Sequence, residues 1–410
     1  MRLLVISQFF PYPPINGGRM RVYQLVRGLS SRHGVHLLTF SASAGDIDYA
    51  GRLKSFCREV HVVREEESRP LSLRAAFGLL SPAPRSYVTS WSREMKVLVS
   101  DQASRHRFDA AIAFGLRNAA YLKSLVGMVR VVDNENVDTA FAARLAVESQ
   151  SSLVKFRRKL TRAKSRIYES KLAGLLDAAL VVCEEDKEEL ARIAPALKAR
   201  KAIHVVPNGA ELALLDYRGP EVDGRQIIFP GALTYSANYD SAAYFCAEIL
   251  PLIKARIPDA GMIITGSTDG VDTAPFRNVP DVTLTGFLDD PRPAIAGSAV
   301  VVVPTRVGGG TRLKILEAMA LGTPVVSTSF GAMGLGAKHG THLLMGDTPG
   351  DFAADVCALM KDWELRARIT RSARDFVAAR YGWESIAQSL NQILESLVMS
   401  REEAGKCTTA

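Results

Sequence analysis

The chain has 410 residues, 47% of them hydrophobic and 23% charged, which excludes a disordered polymer and leaves room for two globular domains. A formal net charge of +8 favours anionic partners, among them nucleotides, phospholipid surfaces and nucleic acid, without choosing between them. The five cysteines, Cys57, Cys183, Cys246, Cys357 and Cys407, have neither metal-ligand spacing nor an even disulfide framework, which fits a reducing cytoplasm.

The opening MRLLVISQFF is a short apolar run that ends in Pro-Tyr-Pro-Pro without a small-residue cleavage site, so it reads as a first strand over Leu3 to Ser7. No window approaches 18 uninterrupted apolar residues, and no membrane span is expected. Gln8 to Gly18 reads as a loop. A helix follows over Arg19 to Ser31, with Val22, Leu25, Val26 and Leu29 on one face. Val35 to Phe40 returns as a strand, completing a βαβ unit whose first loop carries Asn16, Gly17 and Gly18. Those glycines are either a plain turn or backbone that faces a phosphate or sugar.

Val60 to Val63 is expected to be a strand, and the stretch from there to Arg107 suggests no chemistry. Phe108 to Phe114 reads as a central strand, and Asn118 to Val126 as the helix after it. Val129 to Val132 runs into Asp133-Asn134-Glu135-Asn136, a polar cluster at a strand's carboxyl end. It is either a helix-capping turn or a binding group. Lys155 to Lys171 contains eight Lys or Arg, while Leu153, Phe156, Leu160, Ala163 and Ile167 recur at helical spacing. This basic amphipathic helix either packs by its apolar stripe or rests on anionic headgroups.

Strands at Ala178 to Val182 and Ile203 to Val206 end the first half, and a link follows near Ala210 to Arg225. Ile227 to Phe229 restarts the βα alternation, with a loop from Gly231 to Asn238, then a helix to Arg256, and strands at Met262 to Thr265 and Val282 to Thr285. These strands run into Gly231, Gly266 and Gly286, the last followed by Phe287. Helices are expected from Asp347 to Arg380 and from Tyr381 to Met399, then a frayed tail over 401–410.

The most informative stretch is Ala299 to Thr328. Val300 to Val303 form a β-branched run, Gly308, Gly309 and Gly310 a loop, and Thr311 and Arg312 lead into a helix with Leu313, Leu316 and Ala320 on its apolar face. Gly322 and Pro324 close it, and Val325 starts another strand. A helix start approached through glycines attracts an anion, and Arg312 and Lys314 add charge. Glu317 either accepts two hydrogen bonds from a ribose diol or forms a surface pair with Lys314.

GGGTRLKILEAMALGTPVVST resembles the signature of the family 4 glycosyltransferases, in particular their bacterial exopolysaccharide branch. The resemblance implies a GT-B fold: α/β, two Rossmann-like doubly wound domains facing a cleft, with a C-terminal helix crossing back to the first. It implies Glu317 as the ribose carboxylate, Gly17 and Gly18 facing the cleft, and Gly286 and Phe287 near the nucleotide base. Glu135, in a variant of the family's His-Asn-x-Glu, becomes the candidate for the acceptor hydroxyl. Three departures stand out. Gly309 replaces the first family glutamate, Ala113 to Leu116 offer no histidine, and GALTYSAN after the first C-domain strand has no cation. Arg312 and Lys314 are the nearest replacements.

The resulting expectation is a retaining glycosyltransferase that moves a sugar from a UDP- or GDP-sugar to a glycan or lipid-linked acceptor. Its acceptor domain would span 1–215, its nucleotide-sugar domain 216–380 and a crossover helix 381–400. Glu135, Arg312 and Lys314 are the catalytic candidates. Gly17, Gly18, Gly231, Gly266, Gly286, Phe287, Gly309, Gly310, Thr311, Arg312, Leu313 and Glu317 are the donor-binding ones. No cofactor or metal is expected, the nucleotide-sugar being a substrate, and no nucleic acid; the expected location is cytoplasmic, with residues 153–171 offering a contact to the inner membrane face. A GT-B epimerase, a non-catalytic nucleotide-sugar binder and a charge-driven nucleic-acid binder are the alternatives.

Overall fold

The computed structural model describes residues 1–41, 48–65, 81, 83–135, 152–308 and 313–408. Gly309, Gly310, Thr311, Arg312 and Asn136 therefore lie outside the described residues. The chain divides into two compact units, Met1–Pro207 with Trp383–Ala410, and Asn208–Gly382. The division falls near the expected link, but eight residues before the expected end of the first domain at 215.

The first unit holds seven parallel strands: β1 Arg2–Ser7, β2 Gly34–Ser41, β3 Glu59–Arg64, β4 Ala110–Phe114, β5 Val129–Asp133, β6 Ala178–Val181 and β7 Ile203–Val205. Their order is β3-β2-β1-β4-β5-β6-β7. The chain thus winds outward one way from β1 and the other way from β4, and the carboxyl ends of these two strands form the switch point where open α/β sheets bind ligands. The second unit repeats the plan with β8 Asp223–Pro230, β9 Gly261–Thr265, β10 Val282–Gly286, β11 Ser298–Val303, β12 Val325–Ser327 and β13 Leu344–Met345, in the order β10-β9-β8-β11-β12-β13. Its switch point lies between β8 and β11.

The β-branched runs follow from this architecture, since strands covered on both faces need no polar alternation. In β8 and β11, Ile227, Phe229, Val300 and Val302 enter one core, while Ile228, Val301 and Val303 enter the other. Helix α5 (Leu313–Leu321) covers the second face with Ile315, Leu316 and Met319. It ends where Gly322 takes a positive φ of 85°.

Several local expectations are revised. Helix α1 runs over Gly17–Ser30, so Gly17 and Gly18 are its first turn, started by the Asn16 side chain accepting from the Arg19 N-H at 3.0 Å. The segment Asn118–Ser124 is a 3-10 helix. The helix after Gly231 starts at Ser236, passes through a π turn over Phe245–Ile249 and stops at Lys254. Helix α2 covers Arg93–Arg105 and α3 covers Ser152–Ala173.

The α3 stripe does not pack as a core face. Leu160 and Ile167 are about half exposed and Ala163 is exposed, while Ser165, Glu169 and Leu172 turn inward; the side chains of Leu153 and Phe156 lie outside the described residues. The last helix, α7, runs over Trp383–Thr408 and belongs to the first unit. It continues past the expected end at Met399, where Arg401 lies 3.5 Å from Asp177. Its seat on α1 requires Gly28, because a Cβ there would fall 2.2 Å from the Ala387 Cβ.

Candidate functional site

The carboxyl edge of the second unit's sheet is built from glycines that sit shoulder to shoulder. The Gly231 N-H donates to the Thr265 carbonyl at 3.0 Å, and the Gly266 N-H to the Gly286 carbonyl at 2.9 Å. Gly266 has φ +110°, and a Cβ there would meet the Ala232 nitrogen at 2.5 Å, so this position excludes every larger residue. Gly286, with φ +70°, is glycine for conformation alone, since its surroundings are open. Phe287 beside it is 59% exposed and presents an aromatic face to solvent.

Lys314, in the first turn of α5, reaches across this edge. Its Nζ donates to the Asn238 Oδ1 at 3.0 Å and stands 4.4 Å from the centre of the Phe229 ring at the end of β8. A Cβ on Gly231 would lie 2.7 Å from that ammonium and 2.9 Å from the Asn238 Nδ2. Gly231 is thus the gap that admits the cation. The loop after β8 carries no charge of its own, yet an ammonium stands at it, delivered from β11's side of the switch point. Asn238, which fixes it and also donates to the Ala232 carbonyl at 2.9 Å, was not marked in the sequence. Its only signal was its place at the end of GALTYSAN.

Glu317 lies one turn further along α5. Burial and the nearby Glu211 push its carboxyl up to about 7, against a smaller opposing pull from Lys314. It is therefore poised between neutral acid and diol-accepting carboxylate near neutral pH. Arg306, at the carboxyl end of β11, is a further exposed cation, held by Asp240 at 2.9 Å over the Tyr244 ring. Leu313 opens α5, and its expected neighbours Gly309 to Arg312 lie outside the described residues.

In the first unit, two separate sequence expectations meet. A Cβ on Gly18 would lie 3.0 Å from the Phe9 ring and 3.6 Å from the Glu135 Oε2. The glycine pair at the start of α1 and the carboxylate after β5 thus share one place at the carboxyl ends of the strands, with Gly18 providing the room. Burial raises the Glu135 pKa, Arg21 lowers it and Asp133 raises it again.

Asp133 is engaged in a buried ion pair with Arg21. It accepts from the Arg21 Nε at 2.7 Å and from Nη2 at 2.6 Å, and both side chains are 1% exposed. Arg21 also donates to the carbonyls of Val206 and Pro207 at 2.9 and 3.1 Å. This forked ion pair ties α1, β5 and the end of β7 beneath Glu135. Sequence reading missed it, although Arg21 stands four residues before Leu25 and so on the buried face.

Residues 224–362, most of the second unit, match the family model described as glycosyl transferases group 1. The chain carries a group 1 glycosyltransferase domain on a GT-B fold. A protein of the cps region of Klebsiella pneumoniae is 21% identical over 400 residues, covering 95% of this chain and 98% of its own. The phosphatidyl-myo-inositol mannosyltransferase of Mycolicibacterium smegmatis is 28% identical over 204 residues, 47% of this chain and 51% of that enzyme, so this alignment spans about half of each. The Anabaena protein HepE, solved in complex with UDP and glucose, superposes with a TM-score of 0.66 at 16% identity, covering 97% of this chain and 100% of that one. The glycosyltransferase domain coincides with the unit that holds Lys314, Glu317 and the glycine edge.

Proposed function

We propose that this glycosyltransferase moves a sugar from a nucleotide-sugar, a UDP- or GDP-sugar, to a glycan or lipid-linked acceptor with retention at the anomeric carbon. The observation that carries the reading is the ammonium of Lys314, seated against Gly231 at the β8/β11 switch point. A leaving diphosphate needs a fixed cation, and the loop that ordinarily carries one has none. Glu317 holds the ribose diol, and Phe287 beside Gly286 offers a stacking face to the base. Arg312 and the α5 start join Lys314 in stabilising the departing charge, and Gly309, Gly310 and Thr311 are further donor-binding residues in this reading.

In the reaction the anomeric C-O bond to phosphate breaks, its electron pair leaves with the diphosphate, and the acceptor oxygen bonds to the same face of an oxocarbenium-like carbon. Glu135 holds the acceptor hydroxyl, and the hydroxyl's proton passes to the departing phosphate oxygen. No metal or other cofactor takes part. The UDP in the HepE structure supports a uridine donor first, and the lipid named in the mannosyltransferase supports a lipid-linked acceptor. The cps-region relative supports a role in surface polysaccharide synthesis.

Helix α3 supports peripheral membrane contact on the cytoplasmic side. It is basic, Leu160 and Ile167 face solvent, and among the described residues no helix is long and apolar enough to cross a membrane.

The test is turnover of UDP- and GDP-sugars with and without lipid-linked acceptors, with the anomeric configuration of the product read by NMR. Acceptor-dependent release of nucleoside diphosphate and a product of unchanged configuration support the reading. Sugar isomerisation without acceptor indicates an epimerase, and binding without any turnover a non-catalytic binder. Either outcome rejects it.

A further inference from the structure

A second cluster of chemistry lies in the first unit, toward the amino ends of β2 and β3. His36, third residue of β2, pairs in register with Glu59, the first residue of β3, and His106 caps the end of α2 beside them. The Glu59 Oε2 lies 3.7 Å from the His36 Nδ1, and its Oε1 lies 3.3 Å from the His106 Nε2. One ligand atom from each of the three residues lies within 4.8 Å of the other two. Atoms bound to one tetrahedral zinc at about 2.0–2.1 Å stand roughly 3.3–3.4 Å apart, so little movement separates this arrangement from a coordination shell.

The surroundings match what such a shell requires. His61, two residues along β3 and on the same face as Glu59, approaches the Glu59 Oε2 at 2.9 Å; the buried Gln102 reaches the His61 Nε2 at 3.2 Å and the His36 Nδ1 at 3.3 Å, and a metal at Nδ1 takes the place of that last contact. Carboxylates that bind metals are held by outer partners in this manner. The buried His36 ring packs edge-on to Phe108, with ring centres 5.1 Å apart, which fixes its plane. Glu59 and His106 remain partly exposed, which leaves an entry path. Two imidazoles and a carboxylate suit zinc and neighbouring transition ions better than magnesium or calcium.

We propose that His36, Glu59 and His106 form a site for a divalent transition metal, zinc being the best fit, with His61 positioning Glu59. The metal clips the edge strand β3 to β2 and to the end of α2, at the amino ends of these strands, whereas Gly18 and Glu135 stand at the carboxyl ends of the first unit's sheet.

The experiment is a calorimetric titration of the chelator-treated, tag-free full-length chain with ZnCl2, paired with the visible absorption of the CoCl2 adduct. One site per chain is expected, with the ligand-field bands of four-coordinate cobalt. His106→Ala, a partly exposed position that should fold normally, and the conservative Glu59→Gln should each abolish both signals. His61→Ala should weaken binding roughly 10- to 100-fold and keep the stoichiometry. The double variant His339→Ala/His342→Ala, which removes two histidines of the second unit, should bind as the parent does. Absence of binding, binding that survives both Glu59→Gln and His106→Ala, or binding lost in the His339/His342 variant would overturn the proposal.

Discussion

Glu317 makes the sharpest prediction at the scale of single residues. Its carboxyl titrates near 7 in the folded chain against 4.5 in its ordinary state, because burial and Glu211 disfavour the charge. Folding therefore favours the protonated form: the native state bears no penalty below about pH 4.5, and acquires one as pH rises through 7. Glu317→Gln should stabilise the ligand-free protein at pH 8 by at most about 3 kcal/mol, at roughly 1.4 kcal/mol per pH unit, and leave it unchanged at pH 4.5. Urea unfolding at both pH values checks this. Parent affinity for a nucleoside diphosphate should fall as pH drops below 7, a dependence absent from the variant.

Arg21 and Asp133 are a structural pair of a different kind. Removing one partner leaves a buried charge alone, so Asp133→Ala should cost about 3–5 kcal/mol in a denaturant titration. A loss under 1 kcal/mol would show that the pair is not buried as described. These residues are 112 positions apart, and no local pattern joins them. Glu317, Lys314 and the glycines could be read from sequence because loop, cation and carboxylate fall within a few residues. The partnership of Lys314 with Gly231 and Asn238 could not, because even Asn238 lies 76 positions away.

At the scale of elements, every strand expected from a β-branched run is present. Parallel strands buried on both faces leave the clearest trace that a sequence can leave. Helix faces were less legible. In α3 the apolar period is real, yet Ser165, Glu169 and Leu172 form the inner side, because periodicity reports a stripe and not which surface it meets. That outward stripe leads to a measurement: Leu160→Ser/Ile167→Ser should reduce sedimentation with anionic vesicles several-fold while leaving nucleotide binding intact. Equal sedimentation would remove α3 from membrane contact. The packing of α7 on α1 is equally open to test. Gly28→Leu forces a side chain into Ala387 and should destabilise the chain by about 1–3 kcal/mol in thermal unfolding.

At the scale of the whole molecule, the two-fold repetition of a doubly wound sheet could be read from the restart of βα alternation at Ile227, as could the final helix after Tyr381. The unit boundary moved to Pro207 because Ala210, through its N-H, bonds the Tyr381 carbonyl and so belongs with the second unit. Each unit sets its candidate groups at the carboxyl ends of its strands, as the topology dictates. The account rests on the second unit recognising a nucleoside diphosphate through Lys314. The most direct measurement is the thermal midpoint of the parent and Lys314→Met chains across UDP, GDP, ADP and CMP. A single base family should raise the parent midpoint, and Lys314→Met should weaken that ligand roughly 10- to 150-fold, as the loss of a charge-assisted contact to phosphate requires. An unchanged affinity in Lys314→Met, or no nucleotide that shifts the parent, would contradict the assignment of this edge as the donor site.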